Sequence, residues 1–389
     1  MPILNRAAEL HDEVTGWRRH LHAMPEILYE VHETAAFVAE KLREFGCDEV
    51  ATGIGRTGVV GIIRGALGEG ATVGLRADMD ALPLTEATGK PWASKTAGKM
   101  HACGHDGHTA MLLGATKYLA ETRQFAGSVA VIFQPAEEGG AGGKAMVDEG
   151  MMERFGISSV FGMHNMPGLP VGRFAIRPGP IMAATAEFSI AVEGKGGHAA
   201  MPHTTLDPVA AASQIVLALQ TIVSRTVDPI DSAVVSVTKF HAGDAYNVIP
   251  QTAKLAGTVR TLRDEVAELV FSRMKAICDG IAAASGVGVD LVIDVNYPVT
   301  RNHPQEAEFA AGVAGAVAGA ANVDPAVLPV MGGEDFSYML NARPGAFIFA
   351  GNGETAGLHS PAYDFNDELI PYGISYWVRL AETALARRD

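Results

Sequence analysis

Cysteine is scarce in this chain, with only Cys47, Cys103 and Cys278 in 389 residues. Three cysteines so far apart exclude a disulfide framework and point to a reducing cytoplasm. Basic charge is short as well: 30 Lys and Arg stand against 44 Asp and Glu, a net charge of −14. An acidic surface repels nucleic acid and anionic membrane at long range, so neither is expected as a partner and a small solute is. No apolar run is long enough to span a bilayer. The first residues, MPILNRAAELHDEVTGW, lack a basic segment followed by an apolar one, so no export signal is expected, and they read as one amphipathic helix. Charged residues are only 19% against 48% hydrophobic, far from the composition of disorder and enough for a large core.

What the chain does have is alternation. TGVVGIIRG, ATVGLRADMD, GSVAVIFQ and SSVFGMH are β-rich apolar runs, and HTAMLLGATKYLAE and GGKAMVDEG between them have helical character. Such alternation predicts an α/β fold, a mostly parallel sheet covered by helices. The pattern changes near Ala183. From there the order is strand, helix, strand, strand, helix, strand, the split βαβ arrangement of a ferredoxin-like domain. After about Thr300 the α/β pattern resumes with EAEFAAGVAGAVAGA, GAFIFAGN and a terminal helix around ISYWVRLAETALARR. The expectation is a catalytic domain of residues 1–183 and 299–389 interrupted by an inserted domain of residues 184–298.

Thirteen histidines are spread over the chain, yet KMHACGHDGHTAM sets three of them beside Cys103 and Asp106. Four other stretches, RADMDALP, QPAEEGGAGG, FGMHNMP and GLHSPAYDFNDE, carry further acidic and imidazole groups, most of them at predicted strand ends. In an open α/β sheet the ligand crevice lies outside the carboxyl ends of the strands, so residues there converge from afar. Cys103, His105, Glu137, Glu138, His164 and His359 could meet at one point. Thiolate, imidazole and carboxylate together suit Zn, Mn, Co or Ni rather than Mg or Ca. The set exceeds what one tetrahedral ion needs, which favours two adjacent metal ions sharing a water. In the tandem glutamates one carboxylate can bind metal while its neighbour serves as general base. Taken alone, a histidine or cysteine is more often a satisfied core residue, and His11, His20, His22, His32, His241, Cys47 and Cys278 are read that way. His101 and His108 stay open, since the helix is expected to begin near Asp106 with His108 in its first turn.

From WRRHLHAMPE through RADMDALP, HACGHDGHTAMLLGA, QPAEEG, GMHN, GKGGHAAMPH, NVIP, GTVRT and GGEDFSY to LHSPAYDFND, the chain resembles the dinuclear metallo-amidohydrolases that include hippurate hydrolase, N-acyl-amino-acid aminoacylases and auxin-conjugate hydrolases. The resemblance implies metal ligation by Cys103, His105, Glu138, His164 and His359, with Glu137 as the base. It implies that Asp80 holds His105 from behind, that the inserted domain mediates a homodimer, and that His198 reaches the partner's site to steady the oxyanion. Asn247 and Arg260 are implied to hold the substrate carboxylate, for which a guanidinium is a bidentate match. The implied reaction is metal-dependent hydrolysis of an N-acyl amino acid. A deacetylase of a diamino acid, a dipeptidase of the same family, and a non-catalytic metal-containing binding protein are the rivals. Tandem Glu137 and Glu138 disfavour the last, because a binder needs no base beside its metal.

Overall fold

The computed structural model describes residues 3–386. The chain divides into two compact units: the described residues of Met1–Ile181, Thr300–Leu328 and Asp335–Asp389 form one, and Met182–Val299 with Pro329–Glu334 form the other.

The first unit is built on an eight-stranded sheet, in the order Glu49–Ile54, Gly58–Arg64, Ser128–Gln134, Thr72–Asp78, Ile157–Pro167, Gly345–Gly353, Phe174–Ala175 and Val323–Asp324. Its four central strands, Ser128–Gln134 through Gly345–Gly353, are mutually parallel, and Glu49–Ile54 and Gly58–Arg64 extend it antiparallel. The central strands read as continuous apolar runs, SVAVIFQ, TVGLRAD and GAFIFAGN, because both faces are covered and buried. Helix His105–Thr122 is buried almost continuously over its first three turns. Gly107 lets it close on Phe365, whose ring would lie 2.2 Å from a Cβ there. Since the four central strands run the same way, their carboxyl ends share one edge. Asp78, Gln134, the 164–167 end of the third strand and Gly353 all reach it, each followed by one of the stretches singled out above.

The second unit has an antiparallel four-stranded sheet in the order Ala233–Ala242, Thr252–Thr261, Ala184–Glu193 and Gly288–Tyr297, with helices Pro208–Arg225 and Asp264–Ser285. From Ala186 to Glu193 the strand Ala184–Glu193 alternates between buried and exposed, as a strand covered on one face must. Phe188, Ile190 and Val192 pack with Ile215, Leu219, Val270 and Met274 of the helices. Asp207 caps the first helix by accepting from the Val209 and Ala210 N–H groups, ahead of Pro208 at a position that needs no donor.

Some boundaries differ from the sequence reading, and Met182, Ala183 and Val299 fall in the second unit. Residues 329–334, assigned there to the catalytic domain, group with the second unit: Met182 pairs with Val330, and the Ala183 N–H donates to the Gly332 carbonyl at 2.9 Å. Main-chain pairing of this kind leaves no hydrophobic period to read. The first helix breaks at Leu10 into Asn5–Glu9 and His11–Ala23, whereas the helix expected to begin near Asp106 does so, at His105.

Candidate metal centre

Strand ends and one helix start place the candidate donors. Gly104, with φ +93°, turns the chain into helix His105–Thr122; a Cβ there would lie 2.3 Å from Asn165 Nδ2 and 2.5 Å from the Tyr363 hydroxyl, so only glycine fits. His105 then points Nδ1 at the Asp80 carbonyl, 2.8 Å away. A carbonyl only accepts, so Nδ1 carries a proton, and Nε2, buried without a hydrogen-bond partner, is the nitrogen left for a metal ion or for a second proton in its absence. His164 is set the same way. Its Nδ1 donates to the Asn165 carbonyl at 2.7 Å, and its Nε2 stands 3.4 Å from Cys103 Sγ. Donor atoms of Cys103, His105 and His164 all lie within 4.8 Å of one another, as do those of Cys103, Glu138 and His359, and those of His105, Glu137 and Glu138. His359 holds a left-handed φ of +63°, fixed by its N–H donating to the Ala102 carbonyl at 2.8 Å, and its Nε2 comes to 3.4 Å from Glu138 Oε1. Strain of this sort in a non-glycine residue collects at functional sites.

The tandem glutamates owe their place to the turn after Gln134, where Ala136 takes φ +54°. Asp80 Oδ1 accepts the Glu137 N–H at 2.9 Å and Oδ2 accepts the Glu138 N–H at 3.1 Å. Asp80 therefore meets His105 differently from the expectation. Its main-chain carbonyl makes the hydrogen bond while the carboxylate, occupied by the glutamate loop, stays 3.7 Å away.

Electrostatically the cluster is rich in buried negative charge. Burial would push His105 down, but Asp78, Asp80 and Glu138 outweigh it and lift it to about 10. Burial alone would raise Asp78, yet His105, Arg76 and His108 hold it ionised. Burial, reinforced by Glu138, Glu137 and Asp78, drives the Cys103 thiol well above its usual range, so a thiolate here calls for a cation beside it. Burial and neighbouring His108 keep His164 neutral, the form in which imidazole binds metal. His105 Nε2 and Glu138 Oε1, both buried without a hydrogen bond, a sulfur that needs a cation beside it to ionise and an excess of carboxylate fit divalent metal. They would be the ligands together with Cys103, His164 and His359.

Several neighbours were given no role from the sequence. Asp78 Oδ1 accepts from His108 Nδ1 at 2.7 Å, and His108 Nε2 accepts the Asn165 N–H at 3.0 Å. Both His108 nitrogens are thus spent, which settles the position left open. Arg76, fully buried, donates to Asp78 at 2.8 Å, Gln134 at 2.9 Å and Asp335 at 3.1 Å. Asp78 lies in RADMDALP and Asn165 in FGMHNMP, but a buried second partner leaves no pattern of its own.

The other three candidates belong to the second unit. His198 is exposed in the two-residue strand Gly197–His198, paired with Val248–Ile249, and the Ala199 N–H donates to the carbonyl of exposed Asn247 at 3.0 Å. Arg260 is half-buried on Thr252–Thr261; its guanidinium bonds Thr258 and the Val259 carbonyl, and burial lowers its pKa. Among the described residues it makes no ion pair with a carboxylate.

Residues 74–383 match the model of peptidase family M20/M25/M40. The chain belongs to that family. Among curated relatives it is 42% identical to a hippurate hydrolase of Campylobacter jejuni, with 98% of this chain and 99% of the relative covered. It is 43% identical to an N-acetyl-L-cysteine deacetylase of Bacillus subtilis, covering 93% and 85%. The crystal structure of the Bacillus subtilis YXEP protein, described as a dinuclear metal binding peptidase from the M20 family, superposes with a TM-score of 0.85 at 35% identity, covering 97% of this chain and 99% of that one. An M20 chain of this kind accounts for the mixed α/β fold and for the metal-ready donors alike.

Proposed function

We propose that this protein is a metal-dependent amidohydrolase that cleaves N-acyl amino acids to a carboxylic acid and a free amino acid. The observation that carries the reading is the state of His105 and His164. Each spends Nδ1 on a carbonyl and turns Nε2 toward Cys103 or Glu138, beside a second glutamate. The two relatives named above act on small acylated amino acids by their descriptions.

Two divalent ions, of the Zn, Mn, Co or Ni type that this donor set suits, would be held by Cys103, His105, Glu138, His164 and His359. When bound they supply Lewis acidity, polarising the scissile carbonyl and acidifying water. Glu137 takes the proton of the attacking water and returns it to the departing amine, base and acid in turn. Asp80 keeps Glu137 aimed by holding its main-chain N–H. His198 donates to the oxyanion across a homodimer, and Asn247 with Arg260 holds the free carboxylate of the substrate. A half-buried guanidinium that makes no ion pair among the described residues is suited to that task. The three free cysteines and the lack of any described helix able to cross a membrane accord with a cytoplasmic setting.

The test is turnover of a substrate panel containing hippurate, N-acetylcysteine, an N-acetylated diamino acid and a dipeptide, before and after prolonged chelation. Acyl amino acids should be cleaved, chelation should abolish turnover, and Mn, Zn or Co should restore it. Full activity in metal-free protein, or cleavage of the dipeptide alone, would overturn the proposal.

A further inference from the structure

Beneath the metal donors lies a buried polar chain that neither binds metal nor touches substrate in the mechanism above. It runs from Asp335 to Arg76, Asp78 and His108, and ends on Asn165. Asn165 is fully buried and uses every polar atom it has. Its Nδ2 donates to the Cys103 carbonyl at 2.6 Å and lies 3.0 Å from His108 Nε2, while its Oδ1 accepts from the Tyr363 hydroxyl at 2.8 Å. Its own N–H donates to His108 Nε2, and its own carbonyl takes the His164 Nδ1 proton. One residue thereby ties together the turn that carries Cys103, the helix start that carries His105, the strand end that carries His164, and the 359–363 segment that carries His359.

We propose that Asn165 is a positioning residue that sets the spacing of the metal donors Cys103, His164 and His359, itself held by the Arg76, Asp78 and His108 relay. Direction matters at each link. Arg76 can only donate to Asp78, and the Asn165 N–H can only donate to His108 Nε2, so His108 has its lone pair at Nε2 and its proton at Nδ1, facing Asp78 Oδ1. The Cys103 carbonyl, which can only accept, fixes which end of the Asn165 amide is NH2, and the nearby His108 Nε2 favours the same choice. Reversing the amide would set oxygen against the Cys103 carbonyl and the His108 lone pair, and nitrogen against the Tyr363 hydroxyl proton. Asn165 and Tyr363 also approach Gly104 so closely that a Cβ there would collide with both, which holds the same turn. A buried network satisfied at every atom is rigid, and rigidity is what a set of metal ligands needs from its surroundings.

The inference rests on the metal-binding reading, and the experiment separates the two. Cobalt(II) is bound to the parent protein, to Asn165→Asp and to Tyr363→Phe. The thiolate-to-cobalt charge-transfer band is recorded, and affinity is measured by competition with a chelator. Asn165→Asp keeps the shape but replaces the donating NH2 with an acceptor. It should weaken metal affinity by about 10- to 100-fold and shift or weaken the band. Tyr363→Phe removes one bond only and should act in the same direction by a smaller factor. A role in stability alone would lower the unfolding temperature of metal-free protein and leave both readouts unchanged. If the parent gives no thiolate band, the metal reading falls and this inference with it. If the parent gives the band and folded Asn165→Asp matches it in spectrum and affinity, the positioning role alone is overturned. Should Asn165→Asp fail to fold, Tyr363→Phe decides by the same criteria.

Discussion

The two units treat their functional candidates in opposite ways. In the first, Cys103, His105 and His164 are buried, and both imidazoles are oriented by a carbonyl on the far nitrogen. In the second, His198 and Asn247 are exposed, and His198 Nδ1 accepts only from the nearby Ala200 N–H at 3.1 Å. Buried donors show their chemistry without a ligand, since an unpartnered buried atom costs on the order of 1–3 kcal/mol unless something meets it. Exposed residues carry no such signature, because water satisfies them whether or not they have a task. The metal site can therefore be argued from geometry within one unit, whereas roles for His198, Asn247 and Arg260 need an experiment that creates the occupied state.

The largest effect should come from splitting the tandem glutamates. Glu137→Gln should retain metal and lose about 10²- to 10⁴-fold in kcat, the usual cost of removing a general base. Glu138→Gln should lose metal, because an amide oxygen is a weaker donor than a carboxylate in a site this rich in cations' partners. Metal content and kcat of both purified variants decide the matter. If Glu137→Gln turns over normally, the base lies elsewhere and the order of the buried unit has been misread.

A smaller and more diagnostic effect concerns the second unit. If His198 completes the site of a partner subunit, then Glu137→Ala and His198→Ala, each inactive alone, should rescue one another on co-expression. Random pairing makes about half the dimers mixed, each with one doubly damaged site and one intact site. Activity should recover to about a quarter of the parent level. Verified mixed dimers as inactive as either variant would confine His198 to its own chain, or remove it from the reaction.

Legibility in the sequence followed the same division. Strands such as TVGLRAD and SVAVIFQ announce themselves because parallel strands buried on both faces are continuous apolar runs. The βαββαβ order is equally visible, from alternation in AEFSIAVEG and helical spacing in VAAASQIVLALQ. Candidate donors could be picked out because Cys, His and Glu are conspicuous in the short stretches at strand ends and at one helix start. What supports them could not. Arg76, Asp78, His108 and Asn165 are chosen by partners as distant as Asp335, 259 residues away from Arg76 in the chain, and no local period records such a pair. Asp80 was identified as a support, but which of its oxygens faces His105 depends on a backbone turn at Ala136 that an alanine gives no reason to expect.

The smallest effect asks whether the burial that organises the first unit also leaves a thermodynamic trace. His22 lies on helix His11–Ala23, buried, with Nδ1 2.8 Å from Asp106 Oδ2 and Nε2 3.4 Å from Glu86. Arg18 and His101 face the same group. Burial and Arg18 would lower its pKa, but Asp106 and Glu86 outweigh them and raise it to about 9. An unfolded histidine titrates near about 6.5. The folded protein thus holds a proton the unfolded chain releases first, and the stabilisation is fully present below about pH 6.5. It is lost as pH rises through about 9, at about 1.4 kcal/mol for each unit of separation between the two pKa values. The second unit offers no counterpart, since its histidines, His198, His203 and His241, are all exposed. Denaturant unfolding at saturating metal should show stability falling between pH 6.5 and 9 in the parent, and a flatter profile in His22→Gln, which starts lower and loses less. Identical slopes in the two proteins would mean that His22 is neutral in the fold and that the Asp106 pairing contributes nothing through charge.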